Sequence, residues 1–114
     1  MSRIHCYLRT HRKKWGLSQK ELAQLLGGSD GTSVSRLEQL RRNPSLRTAF
    51  AIEILFDVSL REMFPKLFAR VEEQLLARAY ELHEELQGNP SPTTRAKLDL
   101  LDQALLRARK RNGI

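Results

Sequence analysis

Two short helical segments joined by a glycine-rich turn restrict the fold of this chain more than any other feature of its sequence. Ser18 is followed three residues later by Glu21, the spacing of a capping box, in which the two residues satisfy free amides at a helix start. Leu22 and Leu26 then continue an apolar stripe at helical spacing. The glycines at 27–28 tolerate the positive φ of a helix end, so we expect the first helix to stop near Leu26.

A second helix is predicted directly after the turn. Asp30 can cap the amides of Thr32 and Ser33, and Val34 and Leu37 supply a short buried face. Five residues are left as candidates to face outward: Gly31, Thr32, Ser33, Ser35 and Arg36. Two helices arranged in this way can place the second of them in a groove of DNA.

The rest of the chain also has the pattern of helices, about seven in all, with no convincing strand. The first helix is expected over residues 4–15, and Ser45 and Ser59 can each cap a further helix. We expect the fourth helix to contribute three apolar side chains to the core: Leu46, Phe50 and Phe56.

Beyond Pro65 the pattern changes to a longer amphipathic helix over roughly residues 66–87. Its apolar residues recur at spacings of three and four and are Phe68, Val71, Leu75, Ala79, Leu82 and Leu86. Residues 88–92 form a stop and turn, and a last helix to about residue 111 carries Leu98, Leu101, Leu105 and Ala108 on one side. The two helices predict an antiparallel hairpin.

The chain resembles the phage-repressor-like, or XRE, family of helix-turn-helix transcription regulators. The matching residues are Leu8, Arg12 and the segments 17–23, 35–38, 42–46 and 58–64. Five blocks in the right order are more specific than any one of them. The resemblance implies a five-helix, lambda-repressor-like DNA-binding domain over residues 1–65. Together with the C-terminal helical hairpin over residues 66–114, which the apolar pattern predicts, we expect an all-α chain.

The chain departs from the family pattern at three places. The turn before the second helix is one residue longer than usual. Leu40 and Asp57 stand where the family has glycines, so those turns must close at some conformational cost. Glu53 falls where a small buried residue is expected, and Ile54 where a solvated one is expected. The fourth helix is therefore rotated or shifted, or a partner covers Ile54.

Composition favours a polyanionic partner and argues against several other classes of protein. Lys and Arg outnumber Asp and Glu by 20 to 13, and residues 1–65 hold 11 of these basic and 6 of these acidic side chains. Cys6 is the single cysteine, which excludes an intrachain disulfide and favours the cytoplasm. No apolar run is long enough for a membrane helix, and we expect neither a signal peptide nor membrane attachment. His5, His11 and His83 lack metal-ligand spacing, so no metal, cofactor or catalytic activity is expected.

The resemblance implies a role in DNA binding for residues in and around the second helix of the motif. Arg36 is the candidate base reader, by paired hydrogen bonds to guanine, with a phosphate contact or an ion pair as the alternative. Gln19 matches a family glutamine that reaches the DNA backbone. The other candidates for DNA contact are Gly31, Thr32, Ser33, Ser35, Arg41, Arg42 and Asn43. Arg12 and Glu38 are expected to form a structural pair.

The last two helices carry more apolar surface than a five-helix domain needs to cover. This excess predicts a protein interface. The candidates are Ile54, Phe68, Val71, Leu75, Leu82, Leu98, Leu101 and Leu105. We expect a homodimer that binds double-stranded DNA at a pseudo-palindromic operator, as a repressor of its own or a neighbouring promoter. Three alternatives remain open: the hairpin folds back as extra core, it captures another protein as in antitoxins, or the chain is a protein-binding adaptor.

Overall fold

Helices make up the regular structure of the chain. The computed structural model describes residues 5–28, 30–88 and 91–113. Within these ranges there are seven helices: α1 Leu8–Lys14, α2 Gln19–Leu25, α3 Thr32–Glu38, α4 Leu46–Phe56, α5 Leu60–Met63, α6 Pro65–Leu86 and α7 Pro92–Arg111. The chain divides into two compact units, which we call unit 1, residues 1–68, and unit 2, residues 69–114. The expected all-α fold is confirmed.

The core of unit 1 draws on all five of its short helices. The largest fully buried side chains come one from each of α1 to α5: Leu8, Leu22, Val34, Ile52 and Met63. Burying such side chains contributes about 1.5–3 kcal/mol each, so the five helices stabilise one another. None of them is long enough to be stable alone in water.

Serine side chains begin four of the helices, as the sequence predicts for three of them. In α2 the Ser18 hydroxyl accepts from the Glu21 amide at 3.0 Å, and the Glu21 carboxylate accepts from the Ser18 amide at 2.9 Å. The predicted capping box is confirmed. Ser45, Ser59 and Ser91 accept in the same way from an amide three residues on. These bonds fix where α2, α4, α5 and α7 start.

The first helix is shorter than the sequence predicts. It begins at Leu8, and Ile4 lies outside the described residues. The Tyr7 amide donates instead to the Met63 carbonyl, at 2.9 Å. A contact with the end of α5 therefore sets the conformation just before α1, and this long-range bond has no local sequence signal.

The expectation that Leu46 and Phe50 belong to the core is wrong. They are 68% and 52% exposed, and Ile54 on the same stripe is 81% exposed. Helix α4 buries the neighbouring side, through Ala49 and Ile52, and Phe56 is half-buried against the core. Successive residues are 100° apart around a helix, so the stripe of Leu46, Phe50 and Ile54 lies on a different side from Ala49 and Ile52. When Ala49 and Ile52 face the core, the other stripe faces outward.

The side of α4 that meets the core also accounts for Glu53. This residue is exposed, and its carboxylate accepts from the Leu60 amide at 3.1 Å, at the start of α5. The position expected to hold a small buried residue therefore lies outside the core. Glu53 joins α4 to α5 instead.

Leu40 and Asp57 close the two turns at which the family pattern has glycine. Both take a left-handed backbone, with φ of 52° and 54°. This conformation costs an L-residue on the order of 1–2 kcal/mol, and less for Asp. Leu40 also packs against the core, which offsets part of that cost. The turns keep the geometry that suits glycine and accept the strain.

In unit 2, α6 and α7 run antiparallel. Glu72 accepts hydrogen bonds from Arg111 and Asn112, and His83 Nε2 lies 2.9 Å from Asp102 Oδ1. The less exposed residues recur at alternating spacings of three and four along each helix. On α6 they are Glu72, Leu76, Ala79, His83 and Leu86, and on α7 Thr94, Leu98, Leu101, Leu105 and Ala108, with Ala104 half-buried beside Leu105. This spacing is that of an antiparallel coiled-coil seam.

The described part of the chain gives no support for a membrane span or for a metal site. None of its helices combines the length and apolar character that a bilayer crossing demands. Its His, Cys, Asp and Glu side chains nowhere gather into a group of three suited to a metal ion.

Candidate nucleic-acid interface

Helix α3 sits against the start of α2, and Gly31 makes this approach possible. A Cβ atom placed on Gly31 would lie 2.9 Å from the Gln19 Cβ and 3.3 Å from the Lys20 backbone nitrogen. Its φ of −76° is open to any residue. Gly31 is therefore required by space and not by backbone conformation, and its role is to lock α3 against α2.

The start of α3 is held by Asp30. Its carboxylate accepts from the Thr32 amide at 2.9 Å, as the sequence predicts, but the predicted bond from the Ser33 amide is not formed and the N-cap residue of α3 is Gly31. The Ser33 hydroxyl donates to the Asp30 carbonyl at 3.3 Å. These two bonds orient the first turn of α3, which in helix-turn-helix proteins is the part that meets the bases.

The outward face of α3 is formed by residues at helical spacing. Val34, Leu37 and Glu38 are buried, whereas Thr32 and Arg36 are exposed. Ser33 and Ser35 are half-buried at the two sides of this face. Gln39, at the end of the helix, is exposed as well, three residues after Arg36 and seven after Thr32. Sequence reasoning missed Gln39, although the same spacing rule would have placed it on this face.

A buried ion pair ties α1 to α3 behind that face. Arg12 Nε donates to Glu38 Oε2 at 2.6 Å, which confirms the predicted structural pair. Arg12 Nη1 also donates to the Leu17 carbonyl at 2.9 Å. The Gln19 amide donates to Glu38 Oε1 at 3.1 Å. Glu38 thus connects α1, α2 and α3, and one amide hydrogen of Gln19 remains for another acceptor.

Open depressions lie on both sides of the α3 face. The larger, of about 630 Å³, has Arg9, Gln19 and Gln39 among its lining residues. The smaller, of about 200 Å³, has Ser33, Arg42 and Asn43 in its lining. Of the predicted DNA-contact residues, Gln19 therefore lies on one flank and Ser33, Arg42 and Asn43 on the other. Thr32 and Arg36 line a third depression of about 400 Å³. We expect phosphate contacts on the flanks and base contacts at the centre.

The basic residues after α3 are exposed. Arg41, Arg42 and Asn43 follow Leu40, and the Arg41 amide donates to the Arg36 carbonyl at 2.9 Å. In the described parts of the chain, no carboxylate lies within ion-pair distance of Arg36, Arg41 or Arg42. Their charges are thus available to an external anion.

The residues predicted for a protein interface occupy two kinds of position. Ile54, Val71, Leu75 and Leu82 are exposed. Leu98, Leu101 and Leu105 are half-buried on the seam side of α7, and Phe68 is half-buried with the Arg61 guanidinium 5.7 Å from its ring. The exposed members alone offer surface to a partner.

The matches to known proteins fall on the helices of unit 1. The helix-turn-helix family model matches residues 8–63, from the first residue of α1 to the last of α5. An uncharacterized HTH-type transcriptional regulator of Archaeoglobus fulgidus is 39% identical over 57 residues, which cover 50% of this chain and 80% of that protein. The chain belongs to the XRE family of helix-turn-helix transcriptional regulators. No solved structure gives a significant match to this XRE regulator.

The family assignment identifies α2 and α3 as the helix-turn-helix of this XRE regulator. Its matched segment ends at residue 63, so α6 and α7 lie outside the family model. Membership of this family makes unit 1 the DNA-binding part of the regulator. Unit 2 must be interpreted from its own residues.

Proposed function

We propose that this XRE regulator represses transcription as a homodimer, with α3 of each copy in the major groove of a pseudo-palindromic operator. The observation that carries the proposal is the placement of the α3 charges. The acid of α3, Glu38, is turned inward and paired with Arg12, while Arg36 points outward without a described carboxylate partner. The outward face of α3 therefore offers a polyanion one cation and several hydrogen-bonding groups.

Arg36 is proposed as the base reader. Its guanidinium can donate to both O6 and N7 of guanine, a contact worth about 1–3 kcal/mol of discrimination against other bases. Thr32, one turn earlier on the same face, can place its methyl group against a thymine. Gly31 is proposed to contribute backbone contact only, since it has no side chain and packs on Gln19.

The flanking residues are proposed to hold DNA phosphates. Arg42 and Asn43, which line one depression together with Ser33, are proposed to hold the backbone on that side of α3, with the exposed Arg41 next to them in the chain. Gln19 uses its remaining amide hydrogen on the other side, and Ser35 lies on the same half of α3. Phosphate contacts of this kind fix the register of the helix and carry no base preference of their own.

The repressor proposal predicts a defined operator geometry. Two copies related by a two-fold axis place their α3 helices about 34 Å apart, or one turn of DNA, and so read an inverted repeat. Repression requires only that the bound dimer cover a promoter. We therefore expect repeats of this kind upstream of the gene for this chain or of a neighbouring gene.

The test is selection from a random duplex library at about 0.15 M salt, which suppresses loose phosphate binding. We expect the wild-type chain to enrich an inverted repeat. Arg36→Ala should lose the preference at one base pair in each half-site, and Arg36→Lys, which keeps the charge but not the rigid planar pair of donors, should weaken it. Arg41→Ala should weaken binding to all sequences alike and lower the salt dependence by about one phosphate.

Two outcomes would contradict the proposal. An unchanged base preference in Arg36→Ala would remove Arg36 from base recognition. Failure of the wild-type chain to enrich any sequence would mean that unit 1 binds DNA without sequence preference or serves a protein partner instead. A reporter gene placed downstream of the enriched repeat then tests the sign of regulation, and increased expression would contradict repression.

A further inference from the structure

The charges of the unit 2 hairpin are separated by sign along its length. Residues 69–78 and 104–113 form its open end, because Glu72 near the start of α6 accepts from Arg111 and Asn112 at the end of α7. This end holds six basic and two acidic side chains. Residues 79–103, which include the turn, hold two basic and five acidic ones. The open end is therefore positive and the turn end negative.

Helix α6 carries its charges against its own dipole. The N-terminus of a helix favours acidic side chains and the C-terminus favours basic ones. The first turn of α6 has no acidic residue and includes Lys66, with Arg70 one turn later, whereas its last turn includes Glu84 and Glu85. In α7 the cations of the last turn suit the dipole, but Arg107 precedes that turn. Helix stability therefore does not account for the positive open end.

The acidic side chains at the open end leave most of its cations unpaired. Glu72 pairs with Arg111. Glu73 precedes Arg78 by five residues, which places it about 140° away around α6. The five remaining basic residues are exposed and form no ion pair within the described residues: Arg70, Arg78, Arg107, Arg109 and Lys110. Their charges are available to an external anion.

Arg78 and Arg107 lie level with each other on one side of the hairpin. The hydrogen bonds between α6 and α7 place position 78 level with position 106 or 107. Each arginine immediately precedes a buried alanine of the seam, Ala79 or Ala108. An approximate two-fold axis relates two antiparallel helices, so residues with the same offset from the seam share a side. Lys110, three residues after Arg107, extends this surface along α7. We call the three residues the basic strip.

The layout of the basic strip favours a polyanion over a small anion. Its cations stand on two helices whose axes are about 8–10 Å apart, which suits an anion with repeated charges. The strip is also joined closely to the DNA-binding unit, since Arg78 lies ten residues, or about 15 Å of helix, after Phe68, the last residue of unit 1. When unit 1 holds DNA, the strip is therefore at a high effective concentration near the same polyanion.

We infer that the basic strip binds phosphates of the DNA that unit 1 holds, outside the segment that α3 reads. The inference rests on the proposed binding of DNA by unit 1. Phosphate contacts carry no base preference, so the strip adds affinity and salt dependence and leaves the sequence preference to α3.

The salt dependence of binding tests the contact. The full-length chain is titrated against a labelled duplex that carries the enriched repeat, by fluorescence anisotropy at several salt concentrations. Arg78→Gln with Arg107→Gln should lower the slope of log K against log salt concentration by about two, or one per phosphate. The matched control is Arg95→Gln with Lys97→Gln, which removes two exposed cations from the turn end and should leave the slope nearly unchanged. Glutamine keeps the helix propensity of both residue types. Equal effects of the two double variants would overturn the inference.

Duplex length tests the position of the contact. One duplex ends at the enriched repeat, and the other extends by one helical turn, about 10 base pairs, on each side. The Arg78→Gln, Arg107→Gln variant should bind the long duplex at least about tenfold more weakly than wild type at low salt, and the short duplex nearly as well. A loss of the same size on both duplexes would place the contact inside the operator and overturn the inference. Wild-type binding to both would overturn it too, and leave the strip to an acidic protein surface.

The inference and the proposed function fail in different ways. A wild-type chain that enriches an inverted repeat, with an unchanged salt slope in Arg78→Gln, Arg107→Gln, overturns the basic strip and leaves the operator proposal standing. A wild-type chain that enriches no repeat, but whose salt slope on random duplexes falls in that variant, contradicts the operator proposal and supports DNA contact by the strip.

Discussion

Removing either partner of the buried Arg12–Glu38 pair should destabilise unit 1 severely. The two side chains are 9% and 5% exposed, and Glu38 accepts from Arg12 at 2.6 and 3.4 Å and from Gln19 at 3.1 Å. Glu38→Leu leaves the guanidinium buried with only the Leu17 carbonyl as a described acceptor. Breaking a buried pair in this way costs about 3–5 kcal/mol, against a total stability of about 5–15 kcal/mol for a domain.

Replacing both partners should cost less than the sum of the two single changes. Arg12→Met with Glu38→Leu removes both charges and refills the space with apolar side chains, which elsewhere is close to neutral. The double variant should lose at least about 2 kcal/mol less stability than the sum of the two single variants, because each single variant includes the penalty of an unpaired charge. This non-additivity separates the ion-pair explanation from a simple loss of packing.

Urea denaturation followed by tryptophan fluorescence measures these free energies. Trp15 is the single tryptophan of the chain and lies in unit 1, so the signal reports the unit that holds the pair. Arg47→Met, at an exposed position of α4, is the matched control and should stay within about 0.5 kcal/mol. A Glu38→Leu cost below about 1 kcal/mol, or strict additivity in the double variant, would refute the reasoning.

Three further predictions concern the turns and helix starts of unit 1. Gly31→Ala should lower the free energy of unfolding by about 1–3 kcal/mol, because its methyl group meets the Gln19 Cβ; a neutral urea midpoint would show that α3 can move away freely. Asp57→Gly should raise the stability by up to about 1 kcal/mol in thermal melts, since it relieves a left-handed backbone. A decrease would indicate a native contact of the carboxylate. Hydrogen bonds from the Ser18 amide, and to a lesser extent from the Ser18 side chain, lower the pKa of Glu21. The ionised carboxylate therefore stabilises α2 at pH values above the ordinary pKa of Glu. This stabilisation is lost as the pH falls through the lowered pKa of the folded state. The stability difference between wild type and Glu21→Gln should therefore shrink in urea titrations below pH 4 or so, and a difference constant from pH 7 to pH 3 would contradict it.

Local signals in the sequence were sufficient for the helix starts and for the motif. The hydrogen bonds of the Ser18–Glu21 box, and the bond from the Thr32 amide to Asp30, span no more than three residues, so they depend on little beyond the local chain. The pairing of Arg12 with Glu38 spans 26 residues and was accessible only through the family resemblance. The identity of the motif depended on the order of its blocks, which is also a property of the sequence.

The role of α4 could not be obtained from its sequence. Both sides of this helix carry apolar residues, so its pattern does not say which side meets the core. Packing against the other helices selected Ala49 and Ile52 and left Leu46, Phe50 and Ile54 exposed. The same limit applied to Gly31: its sequence position made it a candidate for DNA contact, whereas its packing against α2, where an added Cβ would lie 2.9 Å from the Gln19 Cβ, is visible only in the structure.

The sequence by itself determined that this chain is helical, that α2 and α3 form a helix-turn-helix, and that a hairpin follows, because caps, glycines and apolar spacing are local properties. The tertiary structure decided which side of each helix is buried, and therefore which residues a partner can reach. It turned Glu38 inward and Arg36 outward on α3. It also set Leu98, Leu101 and Leu105 along the hairpin seam and left Leu75 and Leu82 exposed. These outcomes depend on contacts between residues distant in sequence, which no local pattern specifies.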